Sequence, residues 1–290
     1  ASISALGGSA HIEGSVALKD DSYRKLRYLG GVRYKTTKYL LGSLDTKGEY
    51  TPNFLDAQGY LTYDINRDWQ VGVLGNYNRA EYEFIPTERN TGIGLIDFAL
   101  QLRTFFEGQE RDDFTNAMGG VSFTYLPERE KNPMFLKILA STYQSQENER
   151  FDILGFYNLA QVETDLGSTD FGEVIGILGS GIQHQYVRNF LKMNVSNAEV
   201  KGGVEFTKET SSQAEKSNFV QYSLKWQRES IDDRINEWER LDSAGYSLPY
   251  DPNTVQVLNS FKTSNDLVSQ RFSGYIQNTF FSKLNNEREI

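Results

Sequence analysis

One feature constrains this chain more than any other: apolar and polar side chains alternate along it, and the breaks between alternating stretches are in turn short and long. In Leu55-Asp56-Ala57-Gln58-Gly59-Tyr60-Leu61-Thr62-Tyr63, a period of two puts one set of side chains on each face of an extended strand. Leu55, Ala57, Gly59, Leu61 and Tyr63 make a face without charge, and Asp56, Gln58, Tyr60, Thr62 and Asp64 make a polar one. A helix of period 3.6 would mix the two sets. Beyond Asn66-Arg67-Asp68 the pattern repeats, with Trp69, Val71, Val73, Gly75 and Tyr77 against Gln70, Gly72, Asn76 and Asn78, and Leu74 as the exception. A tight polar turn between two such runs is the mark of a hairpin.

The same reading predicts nine strands, at Ser2 to Ala17, Arg24 to Lys38, Phe54 to Ile65, Trp69 to Phe84, Phe114 to Tyr125, Met134 to Gln146, Gln185 to Phe206, Phe219 to Glu229 and Leu267 to Phe281. In the last, Phe272, Gly274, Ile276 and Phe280 oppose Ser273, Tyr275, Gln277 and Thr279. Short connections are expected at Lys19 to Asp21, Asn66 to Asp68, Pro127 to Asn132 and Ser211 to Ser217. Long loops are expected at Tyr39 to Asn53, Ile85 to Asp113, Glu147 to His184 and Ser230 to Asp266. Regular alternation puts all tight turns at one end of an antiparallel sheet and all large loops at the other. That is the pattern of an all-β, transmembrane, antiparallel up-and-down β-barrel, whose tight rim is periplasmic and whose large loops are extracellular.

Composition agrees. The 290 residues include 25 Gly, 17 Tyr and 18 Phe but only 6 Pro. No run approaches the ~18 to 20 apolar residues of a membrane helix, so any crossing is made by strands, since lipid tolerates only helices and closed barrels. Several strands exceed the ~9 to 11 residues needed to cross at a tilt and are expected to project beyond the bilayer. Tyr63, Trp69, Phe123, Tyr125 and Tyr222 or Trp226 fall on apolar faces near the tight-turn ends, where an interfacial girdle of rings belongs.

Cysteine is absent, which removes disulfides, thiolate metal sites and a Cys nucleophile together. A net charge of −9 without a long Lys/Arg cluster argues against nucleic acid as a partner. The two histidines, His11 and His184, have no His or Cys companion at ligand spacing, so no metal and no cofactor is expected. His11 is expected on the polar face and His184 at a strand entrance. Paired acids such as Asp112/Asp113 and Asp232/Asp233 are of the type glycosidases use, but neighbours on a strand point apart. No catalytic residue is therefore expected. Tyr246 to Asn253, rich in turn formers, is expected to fold as a loop with Trp238 and Tyr157 near it, packed together or offered to a sugar or peptide. Asp251 to Thr254 lacks the calcium-loop repeat. Gly172, Gly176, Gly179 and Gly181 miss the phosphate-loop spacing, and Asn194-Val195-Ser196 lies in a strand.

Several longer phrases resemble a known family. Lys38 to Tyr50, Leu74-Gly75-Asn76-Tyr77 followed by Tyr82 to Pro86, Phe106 to Glu110, Phe151 to Gly155, Glu163 to Ser168 and Ile235 to Glu239 are similar to the barrel of TonB-dependent outer-membrane receptors. The resemblance is in particular to those that carry an N-terminal carboxypeptidase-regulatory-like domain. The resemblance implies a barrel of about twenty-two strands, a plug in its lumen, location in the bacterial outer membrane, a TonB-type energising protein as partner, and import of a ligand bound at the outer loops. It implies no enzyme activity, and a surface lipoprotein or other envelope protein as a further partner. A plug, a TonB box and closing strands are not found, so residues 1–290 read as part of one barrel domain, and no functional residue carries over.

Two rival readings remain open. One is a non-transporting barrel that serves as a structural or assembly subunit of a larger surface complex. The other is a soluble β-sandwich or glycan-active enzyme, in which apolar faces would meet each other.

Overall fold

A computed structural model describes residues 1–18, 23–37, 48–95, 98–129, 131–211, 214–242 and 256–284. They form twelve strands: β1 (Ser2–Ser4), β2 (Gly7–Ala17), β3 (Lys25–Thr36), β4 (Gly48–Tyr50), β5 (Asn53–Asp64), β6 (Trp69–Pro86), β7 (Arg89–Leu95), β8 (Phe98–Tyr125), β9 (Met134–Val162), β10 (Val174–Ser211), β11 (Ala214–Asp242) and β12 (Gln256–Leu284). All belong to one antiparallel sheet in the order β1-β2-β3-β5-β6-β8-β9-β10-β11-β12, with β4 beside β6 and β7 beside β8. Apart from the short β4 and β7, consecutive strands pair with one another, so the sheet is an up-and-down meander, and it is not closed. Among the described residues no helix is long and apolar enough to cross a membrane, which says nothing of strands.

Each of the nine expected strands is present. The three additional ones are short. β1 splits from β2 at a turn over residues 5–6, and β4 and β7 continue the edges that β5 and β6 leave. The tight turn at Asn66 to Asp68 forms as expected, with the Asn66 side-chain oxygen accepting N–H bonds from Asp68 and Trp69, both at 2.9 Å. An Asx oxygen that mimics a backbone acceptor is what a tight turn uses. Ser211 to Ser217 is tighter than expected, because Ser211 already pairs with Ala214. Lys19 to Asp21 lies outside the described residues.

The expected large loops are corrected. Ile85 to Asp113 is mostly sheet, supplied by β7 and the first half of β8. β9 runs on to Val162 and β10 starts at Val174, which leaves residues 163–173 between them. β11 reaches Asp242 and β12 begins at Gln256. Of Tyr39 to Asn53, residues 48–50 are strand and 39–47 lie outside the described residues. The physical reason is that both faces of these extensions mix polar and apolar residues, so their strands carry no apolar alternation. Cross-strand hydrogen bonds and side-chain pairs hold them instead. β8, β9, β11 and β12 are 28 to 29 residues long and β10 is 38.

Register carries the apolar pattern across the sheet without a break. One row reads Val16, Leu26, Tyr63, Val71, Phe123, Ile138, Val200, Leu224 and Gly274, each directly opposite the next. The adjacent row on the same face reads Gly14, Tyr28, Leu61, Val73, Val121, Ala140, Ala198, Trp226 and Phe272. This face is open: Leu61 is 47% exposed, Leu224 64% and Phe272 74%. Tyr63, Trp69, Phe123, Tyr125, Tyr222 and Trp226 share this face, and the Trp69 and Tyr125 rings meet at 4.7 Å. Tyrosines lie over cross-strand glycines. A Cβ on Gly14 would stand 2.7 Å from the Tyr28 hydroxyl, and one on Gly202 would stand 2.5 Å from that of Tyr222. A glycine there gives the ring a flat backbone to cover.

Candidate functional site: a paired polar face and a charged extension

The opposite face begins with paired charge. On β3 and β5, Arg33 donates to Asp56 (2.7 Å) and Arg27 to Asp64 (3.0 Å). The amides of Asn78 and Gln70 satisfy the same carboxylates at 2.7 and 2.8 Å. Farther along, Ser223 donates to Glu199 (3.0 Å), Arg271 to Glu229 (3.2 Å) and the Tyr143 hydroxyl to Asn116 (2.7 Å). Leu74, the exception to the alternation, lines a hollow of about 290 Å³ on this face with Tyr60, Met118 and Leu139. His11 lies on the polar face as expected, in a hollow with Arg33, Asp56 and Gln58.

In the sheet extension this face becomes acidic. Glu110, Asp112, Glu149, Glu237, Glu239 and Phe151 line a hollow of about 600 Å³. No Lys or Arg occupies that parity on β8 from Phe106 to Phe114, on β9 from Glu147 to Gly155, on β10 from Gln183 to Leu191 or on β11 from Ile231 to Leu241. Neutral amides partner these acids instead. Asn189 donates to Glu149 (3.1 Å) and Glu237 (2.7 Å), while Gln183 and Asn259 donate to Glu239 (2.6 and 3.1 Å). Burial, with Asp112 beside it, raises the Glu110 carboxyl above its ordinary range. Burial also raises Asp112, with Glu149 adding to the effect. Tyr82 is pushed up to about 12 by burial and by Glu110. The hydrogen bond from Gln183 holds Glu239 below its ordinary range. Such a wall attracts cations and hydroxyl-rich ligands and repels anions.

The apolar face changes character over the same extension. His184 Nε2 and Asp152 lie 2.8 Å apart, and Arg188 donates to the other oxygen of Asp152 at 3.0 Å. The Trp238 ring stacks on Tyr186 (4.8 Å, 9° between planes) and meets His184 edge-on at 4.7 Å. Arg188 lies over Tyr186 and Arg240 over Trp238, at 4.3 and 4.7 Å. His184 is therefore interior to β10, not at its entrance. Alternation along β10 puts His184, Tyr186 and Arg188 on one face, and their partners Asp152 and Trp238 come from β9 and β11, in segments expected as loops.

The structure separates the expected acid pairs. Asp112 belongs to the acidic wall, whereas Asp113 lies on the other face, 3.9 Å from both Arg79 and Arg111. Asp232 pairs with Arg234, and Asp233 accepts from Asn265 at 3.4 Å. Tyr157 and Trp238 have opposite parity and do not come together. The Tyr157 hydroxyl donates to the Asp242 carbonyl at 2.9 Å. Tyr246 to Asn253 and Asp251 to Thr254 lie outside the described residues. Asn194 to Ser196 is in β10. Among the described residues no group of three or more His, Asp or Glu is arranged to hold a metal ion.

No family, curated protein or solved structure matches this chain.

Proposed function

We propose that this chain is barrel wall of an outer-membrane receptor of the TonB-dependent type, which binds a ligand at its long-strand end and admits it past a plug. The observation that carries the reading is the uncharged row running in register from Val16 on β2 to Gly274 on β12, backed by a face whose charges are paired. Exposed apolar rows on one face and a wet, ion-paired surface on the other suit a wall between lipid and lumen. In a soluble sandwich the apolar face would be covered.

The apolar band also drifts. On β2 it spans Ala10 to Val16; on β10 it reaches Val204 and on β12 Phe280, far toward the turn end of the row. Tilted, staggered strands displace a membrane-parallel band in this way. β10, at a rise of ~3.3 Å per residue, is roughly 125 Å long, so even at ~45° tilt it projects well beyond a ~30 Å hydrocarbon core.

In this reading the acidic wall of Glu110, Asp112, Glu149, Glu237 and Glu239 faces the vestibule and favours a cationic or polyhydroxylated ligand. The mechanism is capture at this rim, then passage driven by a TonB-type partner. The rival reading, a non-transporting barrel in a surface complex, uses the same wall as a protein-docking rim. Uptake separates them. Cells expressing the full-length gene should accumulate ligand only with an intact energising system, and ligand binding that persists without any energised uptake favours the structural subunit.

A further inference from the structure

Arg111, Arg150 and Arg188 stand directly opposite one another on β8, β9 and β10: Arg111 pairs in register with Arg150, and Arg150 with Arg188. Like charges opposed across strands destabilise a sheet, and here three occur in one row. The outer two have acceptors. Arg188 is fixed by Asp152 (3.0 Å) and by the carbonyls of Phe151 (3.0 Å) and Val187 (2.8 Å), and Arg111 has Asp113 at 3.9 Å. The Arg150 side chain, in the middle, is exposed and makes no hydrogen bond or ion pair among the described residues. Asp152, the nearest carboxylate on the same face of β9, is already shared between Arg188 and His184.

The row borders a hollow of about 530 Å³, lined by all three arginines with Gln109, Leu154 and His184, and by the carboxylates Glu107 and Asp152. Gly108 gives the hollow its floor. Its φ of 100° belongs to the left-handed region, and a Cβ there would overlap the Asp152 carbonyl. We infer that this hollow is an anion site for a phosphate monoester or diphosphate, with Arg150 as its central ligand. Guanidinium groups hold phosphate oxygens through two parallel N–H bonds. Neighbouring strands stand ~4.8 Å apart, so three arginines in a row span a doubly charged group without rearrangement.

The hollow lies on the face that carries the apolar rows, past their long-strand end. By strand rise and tilt it stands roughly 15 to 25 Å beyond the band. That is the level of headgroup saccharides, not of acyl chains. Two sources present the same chemistry there: a phosphorylated saccharide of an outer-leaflet glycolipid, and a free phosphorylated anion. The lipid source rests on the membrane reading above; the anion site itself does not.

The test uses the full-length protein in detergent, with three probes: a phosphorylated lipooligosaccharide, the same glycolipid after phosphatase treatment, and inorganic pyrophosphate. Binding is measured for the parent, Arg150→Gln and Arg150→Lys, with Arg103→Gln as a distant control. Loss of about tenfold or more in affinity for the phosphorylated glycolipid in Arg150→Gln, with partial recovery in Arg150→Lys and no change for the dephosphorylated form, supports the site with lipid as source. The same loss for pyrophosphate, without preference for the glycolipid, supports it with a free anion as source. Melting supplies a second signature. Without ligand, Arg150→Gln should melt at or above the parent, because a repulsion is gone, and it should gain less from added probe. Equal affinities of parent and Arg150→Gln for every probe, or a ligand-free loss of stability in Arg150→Gln, overturn the proposal. A protein that needs no detergent, yet shows the Arg150 dependence with pyrophosphate, would refute the membrane reading and leave the site standing.

Discussion

Arg33 and Asp56 face each other in register on β3 and β5, guanidinium to carboxylate at 2.6 Å, while Val32 and Ala57, one position along, face each other on the uncharged side. One row of backbone thus separates paired charge from exposed hydrocarbon. The Arg33 side chain is 65% exposed, and pairs of that kind contribute ~0 to 1 kcal/mol. The Asp56→Asn variant is therefore expected to fold with little loss.

The other face is far less forgiving. Leu61→Arg or Val71→Arg is expected to cost about 2 to 4 kcal/mol near the midplane, whereas changes at Gln58 should be mild. Equilibrium unfolding of the full-length protein in lipid vesicles measures both. Equal costs on the two faces would overturn the assignment of the uncharged side to lipid.

Strand ends predict topology. Asn66 to Asp68 and Pro127 to Asn132 belong to one end, and residues 163–173 to the other. Protease added to intact cells is expected to cut within 163–173 and to spare the tight turns. Because residues 147–162 and 230–242 are paired strand, they are expected to resist cleavage even where the proposed barrel wall has them project outward.

The acidic wall predicts a pH dependence with a definite sign. Glu110 and Asp112 have raised values in the fold, so the folded protein holds more protons than the unfolded chain above the ordinary carboxylate range. Stability then falls as pH rises from that range through the raised values. Glu239, with a lowered value, works the other way and loses its contribution as pH falls through it. Glu110→Gln is expected to flatten the first slope and Glu239→Gln the second, read from unfolding midpoints across the acid range.

Gly108 occupies a backbone conformation that disfavours a side chain, beside the Asp152 carbonyl. Gly108→Ala is expected to cost ~1 to 3 kcal/mol and to loosen β8 from β9 around Arg111 and Arg150. Faster amide exchange at Arg150 and Asp152 than at Ser141 and Tyr143 checks it.

The described sheet leaves the outer edge of β12 without a partner. Lipid offers nothing to satisfy such an edge. Residues 1–290 alone are expected to aggregate or fail to insert, and a heat-resistant, ligand-binding barrel from them would contradict the open sheet.

The sequence by itself determined the all-β class, the sidedness of each strand and the hairpin at Asn66, because a period of two and a turn-forming Asn are local properties. It placed Leu61 and Val73 on one face, and Gln58 and Asn76 on the other, before any partner was known. What it did not reveal was how far the strands run. From Glu147 to Val162 polar and apolar residues are mixed on both faces, so no apolar alternation marks the segment as sheet, and pairing with β8 and β10 holds it extended. Nor did it reveal which side chains meet. Asp152 and His184 lie 32 residues apart, and Arg111 and Arg150 lie 39 apart. A slip of one residue in register would have sent each to the opposite face. Face is written in the alternation of one strand, whereas neighbourhood is set by the register between strands, and that register was decided only when the tertiary sheet formed.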